Sequence, residues 1–463
     1  MAHTRPTLLT SRSRLSRQSG KQLWTEELEE MSKRLREELK DPHFVAQRCD
    51  LDGSGDLDSQ ELKQAASCFG LKLSNEGLQQ LMDQPRISKE RFAEIVKVPG
   101  PGRRCVPHSL RGMALGQLEL MERIFFATGW LSQQCDAYNL LHAGEIQAGQ
   151  AFQQAPNMYA MDTWIITPMS RPGPCAARSQ DVGGWVPQAS EESSFSELVN
   201  ESGLTVHCFV SHYWGHSFVK TFEALGMWAT TNFSMLGTSS PQAVVFWICL
   251  FALNQHAVAD EVGEDPMHGP FNAALAQSTF GAVMVLDEDS QPFKRIWCLF
   301  EVYRLKDLQK PLELISHLGS MSNPHAQVAA LGPMLKATCE ALWQVKALNA
   351  EASSQKDKDR ILKAIADQCT NTIMATVVGL GAPKTYAETF LSGALQEFDS
   401  YIHALLASRL LVVMCMQGHH EVAASCIEHG SRFTKQQLYE ICRHTKRSER
   451  SLRLGKMLQK GKP

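Results

Sequence analysis

The sequence predicts a multidomain protein: an all-α unit near the amino end, an α/β domain built on a parallel sheet, and an α-helical carboxyl-terminal region. Three observations carry this. The run Asp50–Glu61 sets acids, serine and glycine in a fixed order between two stretches of helical periodicity. Between residues 194 and 320, near-continuous apolar runs alternate with helical patterns, the mark of a sheet covered on both faces. Beyond residue 320 the apolar positions recur at helical steps. The 463 residues exceed what one domain usually holds.

Composition narrows the classes. Hydrophobic content of 43% and charged content of 21% are ordinary for a globular chain. A net charge of −3 gives no global pull toward nucleic acid. The 13 cysteines show no CxxC and no paired His/Cys spacing, so neither a zinc site nor a disulfide frame is expected. Reduced thiols suit a cytoplasmic setting. No apolar run reaches the roughly 18 residues of a spanning helix, and membrane contact is not expected. Residues 1–21 read as a disordered basic tail. They carry Arg5, Arg12, Arg14, Arg17 and Lys21 and no acid, a composition that a transit peptide shares, so both readings stay open.

Residues 22–98 form the first unit. Trp24, Leu28, Met31, Leu35 and Leu39 repeat at three- and four-residue steps and predict an amphipathic helix. Asp41-Pro42 starts a second helix, with proline suited to a first turn. Then come twelve residues with oxygen-bearing side chains at positions one, three, five, nine and twelve: Asp50, Asp52, Ser54, Asp58 and Glu61. Gly55 stands sixth, at a sharp turn, and Leu57 eighth. Leu62, Ala65, Ala66 and Phe69 give the apolar face of an exiting helix, which Gly70 stops.

This stretch resembles the EF-hand family at every diagnostic position. The resemblance implies calcium, a hard cation that takes six to eight oxygens at about 2.3–2.6 Å. It implies one side-chain oxygen each from Asp50, Asp52 and Ser54, the backbone carbonyl of Asp56, Asp58 acting through water, and both oxygens of Glu61. EF-hands pair, so a second unit is expected close behind. Leu78, Leu81 and Met82 supply its entering helix, and Ile87–Phe92 with Ile95 and Val96 resembles its second half. Its ligands are missing, and Arg91 stands where the closing glutamate belongs. The expectation is one metal site propped by a degenerate, ion-free partner.

Residues 99–193 read as linker and irregular chain. Pro and Gly crowd positions 98–104, one helix is marked by Leu118, Met121, Ile124 and Phe125, and residues 168–187 suggest a long loop. From 194 to 320 the strands are Val206–Val210, Ala243–Leu253, Gly281–Asp287 and Leu312–Ile315. Helices fall at Phe218–Trp228, Phe271–Ser278 and Arg295–Leu305. Ligands of such sheets bind beyond the carboxyl ends of the strands. Ser211 and His212 follow the first strand, Asn254, Gln255 and His256 the second, and Asp287 the third.

The order Phe-Val-Ser-His, a buried second strand, a third strand into Asp287, then Trp297-Cys298-Leu-Phe-Glu301 resembles the TIR (Toll-receptor-like) pattern, a flavodoxin-like fold. The likeness is to the divergent type found in single-celled eukaryotes, with their Ser-His-Trp/Tyr-Trp-Gly motif. It spans about a quarter of the chain. It implies a self-associating interaction domain or, where such domains cleave nicotinamide dinucleotides, a catalytic role for Glu301. Ser211, His212, Trp214, Asn254 and Gln255 would then line the ligand cleft. The alternative for Glu301 is a surface ion pair with Arg304 or Lys306. Asn-Gln-His also replaces the acidic, glycine-containing loop of receptor-type TIR domains. Residues 321–442 read as helical, with Gly418–Gly430 similar to the middle of an ankyrin repeat but taken as a helical hairpin, and residues 443–463 as a basic tail. The whole suggests a calcium-responsive signalling or scaffold protein with a protein partner still to be identified.

Overall fold

In the computed structural model, the structure describes residues 11–71, 73, 85–96, 105–180, 182, 184–321, 332–342, 344–377, 393–403, 405, 406 and 410. The helix marked by Leu78–Met82, the ankyrin-like run and the basic carboxyl-terminal tail lie outside the described residues.

The architecture is multidomain α/β, with helices around a mixed six-stranded sheet. The amino-terminal helix runs Ser11–Glu38. It starts within the stretch 1–21 expected to be a disordered tail, so residues 11–21 are helical rather than disordered. Trp24, Leu28 and Leu35 are buried, as their spacing requires. Asp41 caps the next helix, Pro42–Cys49, by accepting from the His43 amide, with Pro42 in the first turn. Asp58 caps Ser59–Ser67 in a reciprocal box with Glu61.

Two short strands, β1 (Asp56–Leu57) and β2 (Ile87–Ser88), pair antiparallel, with Leu57 opposite Ile87. Ser88 then caps the helix Lys89–Ile95. Val45, Leu57, Leu62, Phe69, Ile87 and Phe92 share one small core, with Phe69 and Phe92 edge to face at 5.9 Å.

The large sheet contains β3 (Met113–Ala114), β4 (Cys208–His212), β5 (Val245–Trp247), β6 (Gly281–Val285), β7 (Leu312–Ser316) and β8 (Gly319–Ser320), in the order β3-β5-β4-β6-β7-β8. The central four strands are parallel. Both edge strands are antiparallel, which corrects the expectation of an all-parallel sheet. Phe209, Ala282, Met284 and Leu314 enter one hydrophobic cluster. Cys208, Val210, Val283, Val285 and Ile315 enter the other. Both faces are therefore apolar, and helices cover each.

Two further expectations are corrected. The apolar run Ala243–Leu253 is not one strand: β5 holds three residues, and Cys249–Ala252 turns into a helix. A buried apolar run has the same composition in either form. Residues 105–193 are not linker. They supply β3 and the helices Leu115–Met121 and Trp130–Leu141, and Leu118, Phe125, Met158 and Ile165 are fully buried in the second cluster. Past residue 320, helices occupy Gly332–Leu342 and Gln355–Val377.

Candidate functional sites

The first site is the loop Asp50–Glu61. Gly53 and Gly55 both take positive φ, +69° and +91°, where a side chain would be strained. The Gly55 amide donates to Asp50 Oδ2 at 3.1 Å and the Ser54 amide to Asp52 Oδ1 at 2.9 Å. Glu61 is wholly buried. Its Oε1 accepts from the Leu51 amide and its Oε2 from the Asp58 amide, each at 2.8 Å. Burial raises the Glu61 pKa, and these amide bonds oppose the rise.

Oxygens of Asp50, Asp52 and Glu61 lie within 4.8 Å of one another. Asp50 Oδ1 is buried and has no hydrogen-bond partner. Ser54 Oγ donates to the Asp56 carbonyl oxygen at 3.0 Å. Asp58 points its Oδ1 at the amides of Gln60 and Glu61 and acts as a helix cap. An all-oxygen donor set with one orphaned buried carboxylate oxygen fits a hard divalent cation.

The second site is a cavity of about 480 Å³. His212, Trp214, Gln255 and Glu301 line it, as the sequence reading expected. Ser211 and Asn254 do not. Ser211 is buried beside Glu301. Asn254 turns its side chain to the His256 amide at 3.0 Å. Asp287, at the end of the third expected strand, accepts from the Gln291 amide at 2.7 Å and serves the next turn.

Glu301 is 5% exposed and, among the described residues, makes no surface ion pair. Arg304 goes instead to Asp307 and Asn272. Burial lifts the Glu301 pKa to about 8. The Ser211 hydroxyl draws it down somewhat, although its geometry is not that of a formed hydrogen bond. Glu301 Oε2 has no partner. His212 is pressed to a pKa of about 4, chiefly by burial. Its Nδ1 lies 3.3 Å from the Val210 carbonyl oxygen, which fixes that nitrogen as the donor and leaves Nε2 as a free acceptor. At neutral pH the pocket therefore presents an uncharged acid and an uncharged imidazole.

Aromatic groups form its walls. Trp214 packs at 5.5 Å from Tyr159 and donates to Cys249 Sγ at 3.1 Å. Phe271 stacks on Trp297 at 4.7 Å. Arg295, Lys356 and Arg360 supply cations around it, with Arg295 over the Tyr213 ring at 5.7 Å. Tyr213 and Trp297 lie inside the sequence motifs and were legible as neighbours. Tyr159 and Arg360 arrive from distant parts of the chain, and no local pattern marks them.

The two sites are connected. Asn272 Nδ2 donates to the Leu51 carbonyl oxygen at 3.2 Å, and its Oδ1 accepts from Arg304 Nε at 3.0 Å. Arg304 lies on the helix Ile296–Asp307, which also bears Glu301. Arg48 donates to Gln277 Oε1 at 2.8 Å, and His268 Nε2 lies 3.6 Å from Asp52 Oδ2. Comparison with protein-family models, curated proteins and solved structures finds no match for this chain.

Proposed function

We propose that the chain binds one calcium ion through an EF-hand-type loop, Asp50–Glu61, propped by the degenerate partner around Ile87–Phe92. The α/β body, TIR-like in its motifs, is then the part that responds. The observation that carries this reading is the convergence of Asp50, Asp52 and Glu61 oxygens within 4.8 Å. The pairing of Leu57 with Ile87 supports it, because it joins the eighth residue of the loop to the matching residue of a second half-unit. When bound, calcium would supply a fixed divalent charge. Asp50, Asp52, Ser54 and the Asp56 carbonyl would hold it, with Glu61 closing the set. Glu61 would have to release the Leu51 and Asp58 amides to turn both oxygens inward, and Leu51 is the residue tied to Asn272.

Cys49, Cys68, Cys105, Cys135, Cys175, Cys208, Cys249 and Cys298 are free thiols, which supports a cytoplasmic setting. Among the described residues no helix is long and apolar enough to cross a membrane. A protein partner, or a second copy acting through the α/β domain, belongs to the same reading. Isothermal titration of calcium into the parent and into Glu61→Gln tests it. Binding in the parent that is lost in the variant supports the reading, and equal affinity removes it.

Glu301 favours a second reading, a calcium-regulated NAD glycohydrolase. A carboxyl with a pKa of about 8 under aromatic walls is held in the range where acid and base roles interchange near neutrality. A cationic nicotinamide ring beside it would lower that pKa, so that the proton passes to solvent water. The resulting carboxylate would stabilise the ribosyl cation as nicotinamide departs, as glycosidase carboxylates do. Nicotinamide release from NAD, lost in Glu301→Gln with the fold intact, is the result expected. No release with or without calcium leaves the binding-module reading alone.

A further inference from the structure

The carboxylates of the loop are met by two cations from the degenerate half. Arg86 donates through Nη2 to Asp52 Oδ2 and through Nη1 to Ser54 Oγ. Lys89 Nζ lies 2.9 Å from Asp50 Oδ2. The Asp50 side chain is 5% exposed, so its pairing with Lys89 is poorly screened by solvent. Burial raises the Asp52 carboxyl, yet the Arg86 and Ser54 hydrogen bonds outweigh it and hold the group well below the usual carboxylate range.

The register explains how these cations reach the loop. Leu57 pairs with Ile87 and Asp56 with Ser88, so the chain entering and leaving β2 runs beside the loop. Arg86 precedes the ribbon and Lys89 follows it. Three residues apart, they bracket the ligand cluster.

We infer that Arg86 and Lys89 are an internal competitor for the cation of this loop, engaging Asp50, Asp52 and Ser54 and thereby setting its calcium affinity. The inference rests on the calcium reading above and concerns the regulation of that same site. Together the two side chains carry two positive charges, the same charge that calcium brings. They pair with Asp52 and Asp50, while Glu61 is held by the Leu51 and Asp58 amides. Calcium entering the cluster must therefore displace two ion pairs, one of them to a buried carboxylate, and not merely water. Asp50 Oδ1, buried and without a partner, is the oxygen that the cations leave unmet and an entering ion would satisfy.

The test is calcium titration calorimetry on the full chain, comparing the parent with Arg86→Met/Lys89→Met. The double variant is expected to bind calcium at least about tenfold more tightly, equivalent to about 1.4 kcal/mol. Its thermal midpoint without calcium should fall, because the acids then repel one another unpaired, and calcium should restore it. Arg91→Met is the control. Arg91 pairs with Glu94 at 2.8 Å on the surface, so its loss removes a positive charge from the same segment without touching the ligands, and should shift affinity less than about twofold.

Adding Glu61→Gln to the double variant should abolish the gain. An affinity within twofold of a calcium-binding parent, or an equal gain in the Arg91 control, overturns the competitor while leaving calcium binding standing. No binding in parent or double variant overturns both. Binding in the double variant alone supports the competitor in its strongest form. Should the double variant fail to fold, Arg86→Gln and Lys89→Gln singly carry the test, each with a gain of roughly threefold.

Discussion

Asn272 donates to the carbonyl oxygen of Leu51 at 3.2 Å, although the two lie 221 residues apart. Leu51 is the second residue of the acidic loop, and Phe271, next to Asn272, lines the cavity over Glu301. One short helix, Pro270–Gln277, thus touches the loop with one residue and the pocket with its neighbour. A change at the Leu51 peptide has a direct route to Trp297 through Phe271 and to the Glu301 helix through Arg304.

Asn272→Ala should sever that route. The residue is 1% exposed, and its loss leaves the Leu51 and Met267 carbonyls and Arg304 Nε short of a partner. We expect a loss of about 2–4 kcal/mol in chemical denaturation. In the parent, calcium should alter hydrogen exchange both in residues 50–67 and in residues 296–307. In the variant the change should stay within the first stretch. An unchanged response at 296–307 would show that Asn272 is not the connection.

Arg111→Ala tests how firmly the segment expected to be linker is built into the body. Arg111 is 2% exposed, 2.6 Å from Glu261 and 3.4 Å from Glu197, and donates to the Val106 carbonyl oxygen at 2.9 Å. Removing it leaves two acids facing each other without a cation, and should cost about 3–5 kcal/mol. A surface linker residue would cost nearly nothing in the same denaturation experiment.

The acidic loop was legible because its requirements are local. Gly55 must take positive φ, Asp58 must cap, and Leu57 must face inward, all within twelve consecutive positions. The central strands were legible for the same reason, since both faces of β4 and β6 are buried, β6 is apolar throughout and β4 is apolar as far as Ser211. Residues 105–193 were opaque because their elements are short and interrupted, and Pro and Gly in surface turns hide how much of the chain between them is buried. The cavity was half legible: His212, Trp214 and Glu301 sit in motifs, but Tyr159 and Arg360 reach it only through tertiary folding. Arg86 and Lys89 carry no signal in sequence until the ribbon register places them beside the loop.

Gly116→Val should loosen the amino-terminal helix. A Cβ at Gly116 would lie 2.7 Å from the Trp24 ring, and Trp24 is 7% exposed against the α/β core. Displacing the indole should cost about 1–3 kcal/mol, and limited proteolysis should then cleave residues 24–38 faster than in the parent. A cleavage rate equal to the parent's would place the anchor elsewhere along the helix.

Glu301 should make stability fall as pH rises. Its pKa is about 8 in the fold against an ordinary value of 4.5. Between those values the folded chain holds a proton that the unfolded chain has released, so each step up in pH favours unfolding. The penalty is absent below about pH 4.5, grows through neutrality and levels off above about pH 8, reaching roughly 3–5 kcal/mol. Glu301→Gln keeps the shape and removes the charge, so its stability should match the parent near pH 5 and exceed it increasingly toward pH 8.5. Denaturation midpoints for the two proteins across that range settle the point. His207, His212 and His216 are all held near a pKa of about 4 chiefly by burial, so they act on the acid side and cancel in the comparison. A constant difference between the two proteins from pH 5 to 8.5 would mean that Glu301 is already ionised in the fold, and the uncharged pocket floor would have to be abandoned.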